Sequence, residues 1–280
     1  MSMNIDFQNV FLIVRKEILD ARRNRWFILY AVIFAGLSLG LSWIGLSGIG
    51  NYGLSGFGRT SASLINLILL VVPMMGLTLG ASSLAGERER GTLLYVLAQP
   101  VSKIEVLLGK FFGLGMSLLV TLLLGFGLSG IVIAWHGGTI QAFNYLALVG
   151  LTLLLALSSL GIGMLISSAL KKADTAIGFA LFVWLVLVFF GDLGIMGSAM
   201  ILNMDIRHLF TISLINPLQV FKLSAIFVIQ GNLEVFGPVG VFAARNYGNQ
   251  LILILLGILT LWILLSFGGA YFVFKKRGAI

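Results

Sequence analysis

The sequence predicts an all-α integral membrane protein. Six transmembrane helices are expected, with an N-terminal interfacial helix, a short amphipathic helix between spans two and three, and an apolar periplasmic segment between spans five and six. Three observations lead there. Only 10% of the 280 residues are Asp, Glu, Lys or Arg, against about 25% in a soluble domain. Mean hydropathy is +1.07. The few charges stand as islands between the uncharged runs 26–58, 60–86, 111–170, 175–191 and 246–274. A soluble enzyme, a disordered tail, collagen and a disulfide scaffold are excluded together, the last because cysteine is absent.

Residues 5–23 open the chain with Phe7, Val10, Phe11, Val14 and Ile18 on one helical stripe and Arg15, Lys16, Arg22 and Arg23 mostly off it, the pattern of a helix lying among headgroups. A helix needs about 20 apolar residues to cross a hydrocarbon layer of roughly 30 Å. That length places spans near 26–46, 61–85, 111–134, 144–169, 175–192 and 250–273, in a single transmembrane domain over 1–280. The run 111–170 is divided by the interfacial turn Trp135-His136-Gly137-Gly138-Thr139. The apolar run of helix one exceeds a secretory signal core and lacks a small-x-small cleavage site, so it is expected to stay as a span.

Fourteen of the 18 basic residues fall in four islands: 15–25, 88–110, 171–172 and 275–277. Arginine and lysine are retained on the cytoplasmic side, so both termini are expected there. The net charge of +8 follows from this placement, and no aromatic-interleaved basic face points to nucleic acid.

The loop 86–103 puts charges first, at Glu87, Arg88, Glu89 and Arg90, followed by Gly91, Thr92 and the apolar Leu93, Leu94, Leu97 and Ala98 on one side of a short helix. Pro100 ends it. Ser102 and Glu105 then form a capping box for the next helix. Pro73, with Gly76 and Gly80 after it, marks a kink in span two. The spans hold almost no titratable groups, which disfavours an ion-coupled carrier, since such carriers keep acids or bases inside the membrane. Gly-Leu-Ser-Gly occurs at 45–48, 53–56 and 127–130, but both histidines fall outside the predicted spans, so the serines lack a base and the repeats read as close helix contacts.

The segment 193–249 alternates apolar stretches, including Leu209-Phe210 and Leu218 to Phe221, with single polar residues; Asn216 is placed to cap a helix opened by Pro217. Such apolar surface must be hidden in headgroups, in a dimer or under a partner. Met196, Met200, Met204 and His208 repeat every four residues, and thioether with imidazole suits Cu(I). Methionine packing accounts for the same pattern.

Glu87-Arg88 with Gly91-Thr92-Leu93, Pro100-Val101-Ser102 and Gly109-Lys110 resembles the signature loop of the type 2 ABC transporter permease family. The six-span layout, the basic N-terminal helix and Asn216-Pro217-Leu218 extend the resemblance over the chain. It implies that 87–98 is a coupling helix docked on a cytoplasmic ATPase subunit, that a second copy of the chain completes the pathway, and that ATP and Mg are bound by the partner. The chain itself has no G-x-x-x-x-G-K-[ST] loop to cradle phosphates, so no cofactor is expected on it. Within the family the likeness is to permeases that serve maturation of the copper centres of nitrous-oxide reductase. It implies a bacterial inner-membrane location and a periplasmic β-helix partner touching Leu209, Phe210, Leu218 and Phe221. Copper or a sulfur species is the implied cargo, with mechanical transmission to a periplasmic protein as the alternative to transport.

Overall fold

The computed structural model describes residues 6–47, 53–136, 139–201, 205–230 and 237–277, and these form helices throughout, with no strand among them. In chain order they are α1 (Phe7–Arg23), α2 (Arg25–Ser47), α3 (Gly53–Glu89), α4 (Thr92–Leu97), α5 (Lys103–His136), α6 (Thr139–Ala169), α7 (Ala173–Ile201), α8 (Ile206–Ile215), α9 (Pro217–Gln230), α10 (Gly237–Tyr247) and α11 (Leu251–Arg277). Six of them, α2, α3, α5, α6, α7 and α11, are long and apolar enough to cross a membrane. A helix bonds every backbone group internally, which is the only economical state for such sequences in lipid.

The four prolines show how the chain keeps its helices intact. Pro100 lies in the turn before α5, Pro217 is the first residue of α9, and Pro238 is in the first turn of α10, all places where a missing N–H costs nothing. Only Pro73 is interior, and α3 runs through it unbroken. The carbonyl of Leu70, one turn before it, accepts a hydrogen bond from the Trp184 indole Nε1 of α7 at 3.1 Å. Tertiary contact thus satisfies a carbonyl where a proline loosens the ladder.

α3 and α6 are the centre of the bundle. Of the α3 span, 78% is buried inside the chain, against 11% of the α7 span, so α3 is the inner helix and α7 turns most of its surface outward. The two central helices meet backbone to backbone. A Cβ on Gly80 would lie 2.4 Å from the Leu160 carbonyl oxygen, one on Gly163 2.4 Å from that of Leu77, and one on Gly76 2.8 Å from that of Ala156. Gly76 and Gly80, expected as part of the Pro73 kink, therefore serve as a seat for α6. Around this pair α2 and α7 pack on α3, and α5, α9 and α11 pack on α6. α2 closes on α5 where Phe34 lies over Gly125 and meets Phe126 edge-on at 5.4 Å.

The segment between α7 and α11 corrects an expectation. α8 and α9 are together apolar enough to enter the membrane but are bent by 109° at Asn216, the geometry of a broken or re-entrant segment. The Asn216 side chain accepts the Leu218 N–H at 2.9 Å, capping α9, and donates to the Leu187 carbonyl of α7 at 2.6 Å. Leu209, Phe210, Leu218 and Phe221 all lie in the main core, and Phe210 stacks on Tyr247 at 5.6 Å. Their hydrophobicity is used to pack the chain on itself, so they are not the surface offered to a partner. The apolar side chains that this segment does expose include Ile206, Ile212 and Ile215.

The glycine seat yields a direct test. Gly80→Ala should cost on the order of 1–3 kcal/mol, because a backbone carbonyl cannot move aside as a side chain can. Gly257→Ala, with open space around its Cβ position, should leave the midpoint unchanged or raise it slightly. The fraction surviving gel filtration after heating separates the two.

Candidate coupling site

The four basic islands meet at one end of the molecule. Arg277 donates to the Ala169 carbonyl, and the Lys103 ammonium donates to the Lys275 carbonyl at 3.2 Å. Arg88 donates to the carbonyls of Leu170 at 2.5 Å and Ser167 at 3.3 Å, covering the C-terminal end of α6. The Glu89 carboxylate accepts the N–H of Ala173, the first residue of α7, at 2.8 Å. Helix ends leave unpaired carbonyls and N–H groups that attract cations and anions respectively. Two of the charges predicted to start the coupling helix, Arg88 and Glu89, are thus spent on closing the ends of α6 and α7.

Glu87 is placed deeper still. Its Oε1 accepts from Lys110 of α5 at 2.9 Å and from Lys16 of α1. Lys110 also meets Glu17 of α1 at 2.7 Å and is itself 2% exposed. Two buried carboxylates and one buried ammonium, with half-exposed Lys16 balancing the charge, bracket α1, α3 and α5 together. Burial opposes the charge on Lys16, but its hydrogen bond to Glu87 and the nearby carboxylates of Glu87, Glu17 and Asp20 outweigh this and raise its pKa above the ordinary 10.5. The bracket therefore holds through neutral pH; its Lys16 contribution is full below 10.5 and is lost only as pH rises through that raised value.

The α1 helix reaches the bracket because α5 has no side chains in the way. Gly109 and Gly113 face Ile13 and Glu17, whose Cβ atoms would each lie 2.6 Å from an added methyl. Lys110 sits between these glycines, within reach of Glu17. At the head of α5 the capping box forms as expected: the Ser102 N–H donates to Glu105 Oε2 at 3.0 Å and the Glu105 N–H to Ser102 Oγ at 3.3 Å. Glu105 also accepts the Asp6 N–H at 2.9 Å, so one carboxylate ties the starts of α1 and α5.

Between these fixed helices lies the elbow. α3 continues to Glu89, and the chain turns at Arg90 and Gly91, where Gly91 has φ +73°, a left-handed value that glycine adopts without a Cβ clash. The amphipathic helix is therefore α4, only Thr92–Leu97, rather than 87–98. Thr92 Oγ1 donates back to the Glu87 carbonyl at 3.2 Å. Leu93 is fully buried and Leu97 packs partly against the core, one turn apart, while Leu94 is 59% and Tyr95 77% exposed. Leu94 thus turns outward, about 100° round the helix from Leu93, and Tyr95, not among the residues expected to couple, is the most exposed group of the elbow. A tyrosine following an apolar pair in a six-residue helix was the available signal, since one of three consecutive positions must face outward.

The sequence model described as ABC-2 family transporter protein matches residues 11–279. The chain belongs to the ABC-2 family of transporter proteins. It is 33% identical over 220 residues to a probable ABC transporter permease protein NosY of Pseudomonas aeruginosa, covering 76% of this chain and 80% of that protein. It is 29% identical over 276 residues to a probable ABC transporter permease protein NosY of Stutzerimonas stutzeri, covering 96% of this chain and 98% of that one. This ABC-2 chain is accordingly a multi-pass membrane subunit of an ABC transporter, similar to NosY over nearly its whole length.

The methionine and histidine series of the permease falls largely outside the described residues: Met204 is not among them, nor are the side chains of Met196 and Met200. His208 is exposed in the first turn of α8. No cluster of three or more His, Cys, Asp or Glu fit to hold a metal occurs among the described residues.

Removing Lys110 leaves two buried carboxylates with only Lys16 between them. Lys110→Met should cost on the order of 3–5 kcal/mol, read as a fall in the thermal midpoint in detergent. Gly91→Ala should cost about 1–2 kcal/mol from backbone strain alone, because nothing lies within 4 Å of its Cβ position.

Proposed function

We propose that the chain is the membrane half of an ATP-driven complex, with α4 the surface on which a cytoplasmic ATPase subunit pushes. The observation that carries this is the elbow: an exposed Leu94–Tyr95 pair on a six-residue helix, anchored inward by Leu93 and clamped between two long spans by the Glu87–Lys110–Glu17 bracket. A force on Tyr95 is passed to α3 and α5 because neither can slide past the other without unpairing a buried charge. Of the residues expected to couple, Thr92, Leu94 and Arg90 face outward as contacts, while Glu87, Arg88, Glu89 and Leu93 transmit by holding the elbow; Gly91 shapes it and Leu97 seats it.

The basic end then faces the cytoplasm of a bacterial inner membrane, with both termini inside, and ATP and Mg belong to the ATPase. A second copy completes the transporter, for which the outward apolar face of α7, with Phe179, Phe182 and Leu185, is the available surface. The family resemblance directs the work to export or periplasmic delivery, of copper or a sulfur species, for maturation of the copper centres of nitrous-oxide reductase, together with a periplasmic β-helix protein.

The test is co-purification with a Walker-motif subunit encoded beside this chain. Leu94→Ala with Tyr95→Ala should reduce ATPase capture at least tenfold and leave the thermal midpoint unchanged. Undiminished capture would remove α4 from the interface, and absence of any such ATPase would remove the proposed coupling to ATP.

A further inference from the structure

Span ends bring six cations together at the basic end. Lys103 opens α5, Lys171 and Lys172 form the turn between α6 and α7, and Lys275, Lys276 and Arg277 close α11. These three segments are far apart in sequence and are tied to one another through backbone carbonyls. Lys103 donates to the Lys275 carbonyl at 3.2 Å, and Arg277 donates to the carbonyl of Ala169, two residues before Lys171. Lys103 is half-buried and the other five are exposed. The chain's own acids do not balance the group. Every ion pair among the described residues involves Lys16 or Lys110, which take Glu17, Asp20 and Glu87. Glu89 is occupied by the Ala173 N–H, and Glu105 by the N–H groups of Ser102 and Asp6. Only Asp174, in the first turn of α7, is left beside Lys171 and Lys172. Like charges this concentrated repel one another unless an anion from outside joins them.

The depth of the cluster indicates which anion that is. α11 has 27 residues, which at about 1.5 Å each make it about 40 Å long, the thickness of a bilayer with its headgroups. Its last three residues therefore lie among headgroups rather than beyond the membrane, and the bond from Lys103 puts the start of α5 at the same level. On the same face of α11, Leu261, Leu265 and Phe272 are exposed, and Phe272 stands one turn below Lys275 and Lys276. We infer that the cluster binds an anionic phospholipid of the inner leaflet. Its phosphate lies on Lys275 and Lys276, with the cations of α5 and of the α6–α7 turn beside it, and its acyl chains run down the apolar face of α11. A zwitterionic lipid offers the same phosphate but brings its own cation, so net charge is what the cluster selects. This site requires only that the basic end lie at the cytoplasmic surface, and it needs no ATPase.

The experiment reconstitutes the full chain in vesicles of equal phosphatidylglycerol and phosphatidylethanolamine, extracts it in mild detergent and counts retained lipid by native mass spectrometry. Phosphatidylglycerol should be favoured about tenfold, and raising the salt from about 0.05 M to about 0.5 M should remove most of that preference. Each cation near an anionic surface strengthens binding about fivefold. Lys275→Gln with Lys276→Gln, or Lys171→Gln with Lys172→Gln, should therefore lower phosphatidylglycerol retention about tenfold or more; all four side chains are exposed, so the fold is spared. Arg207→Gln with Arg245→Gln, which removes the same charge from exposed positions outside the cluster, should leave retention unchanged. Equal retention of the two lipids by the unaltered chain, or a loss in the lysine variants no greater than in the arginine variant, overturns the inference. Displacement of the lipid by millimolar inorganic phosphate at constant ionic strength overturns it in favour of a free-anion site. Unchanged lipid retention with lost ATPase capture in the lysine variants overturns it in favour of an acidic face on the ATPase. Because the lipid assay contains no ATPase, its failure leaves the α4 contact standing.

Discussion

Lys110 is almost wholly buried, and its two acidic partners come from different helices, Glu17 of α1 and Glu87 of α3. Taking an ammonium out of water costs several kcal/mol, and only close carboxylates offset it, so the three helices are obliged to keep one relative register. The rest of the basic end follows from that obligation. α1 cannot float free in the headgroup layer, α3 cannot end early, and α4 must start from a fixed point. The bracket adds little to net stability compared with an apolar core of the same volume; what it supplies is a single arrangement.

A second constraint is met by removing side chains rather than adding them. Water does not drive helices together inside a membrane, so close backbone approach and dispersion must do so. Gly76, Gly80 and Gly163 let α3 and α6 touch through their backbones, and Gly109 and Gly113 let α1 lie on α5. The second pair is what brings Glu17 within reach of Lys110. Packing and electrostatics therefore depend on each other at the elbow: without the glycines the charges would be too far apart, and without the charges only the Glu105 tie at its start would fix the register of α1 in the glycine groove.

The charged residues of the loop illustrate how a sequence pattern can locate side chains without naming their partners. Glu87, Arg88, Glu89 and Arg90 are at the elbow, as their position between two spans requires. A run of alternating acids and bases reads as a solvated docking face, yet three of the four are consumed by a buried lysine and by the open ends of α6 and α7. The outward apolar surface of the elbow is instead Leu94 and Tyr95. The same exchange occurs in the segment after α7. Leu209, Phe210, Leu218 and Phe221 were apolar enough to seek cover, and the cover is the chain's own core.

Hydropathy, charge position and capping chemistry are local, and they determined the six spans, the shared location of the basic islands, the Ser102–Glu105 box and the Asn216–Pro217 start of α9. Each depends on residues within one helical turn or on the thickness of a bilayer. What only the tertiary structure decided is which residues meet across helices: that Lys110 pairs with Glu17 and Glu87, that Gly76 and Gly80 face α6, and that Tyr95 points outward while Leu93 points in. These depend on the rotation of each helix about its axis. In spans that are apolar on every side that rotation carries almost no sequence signal, and it is settled by where small residues and rare charges find partners.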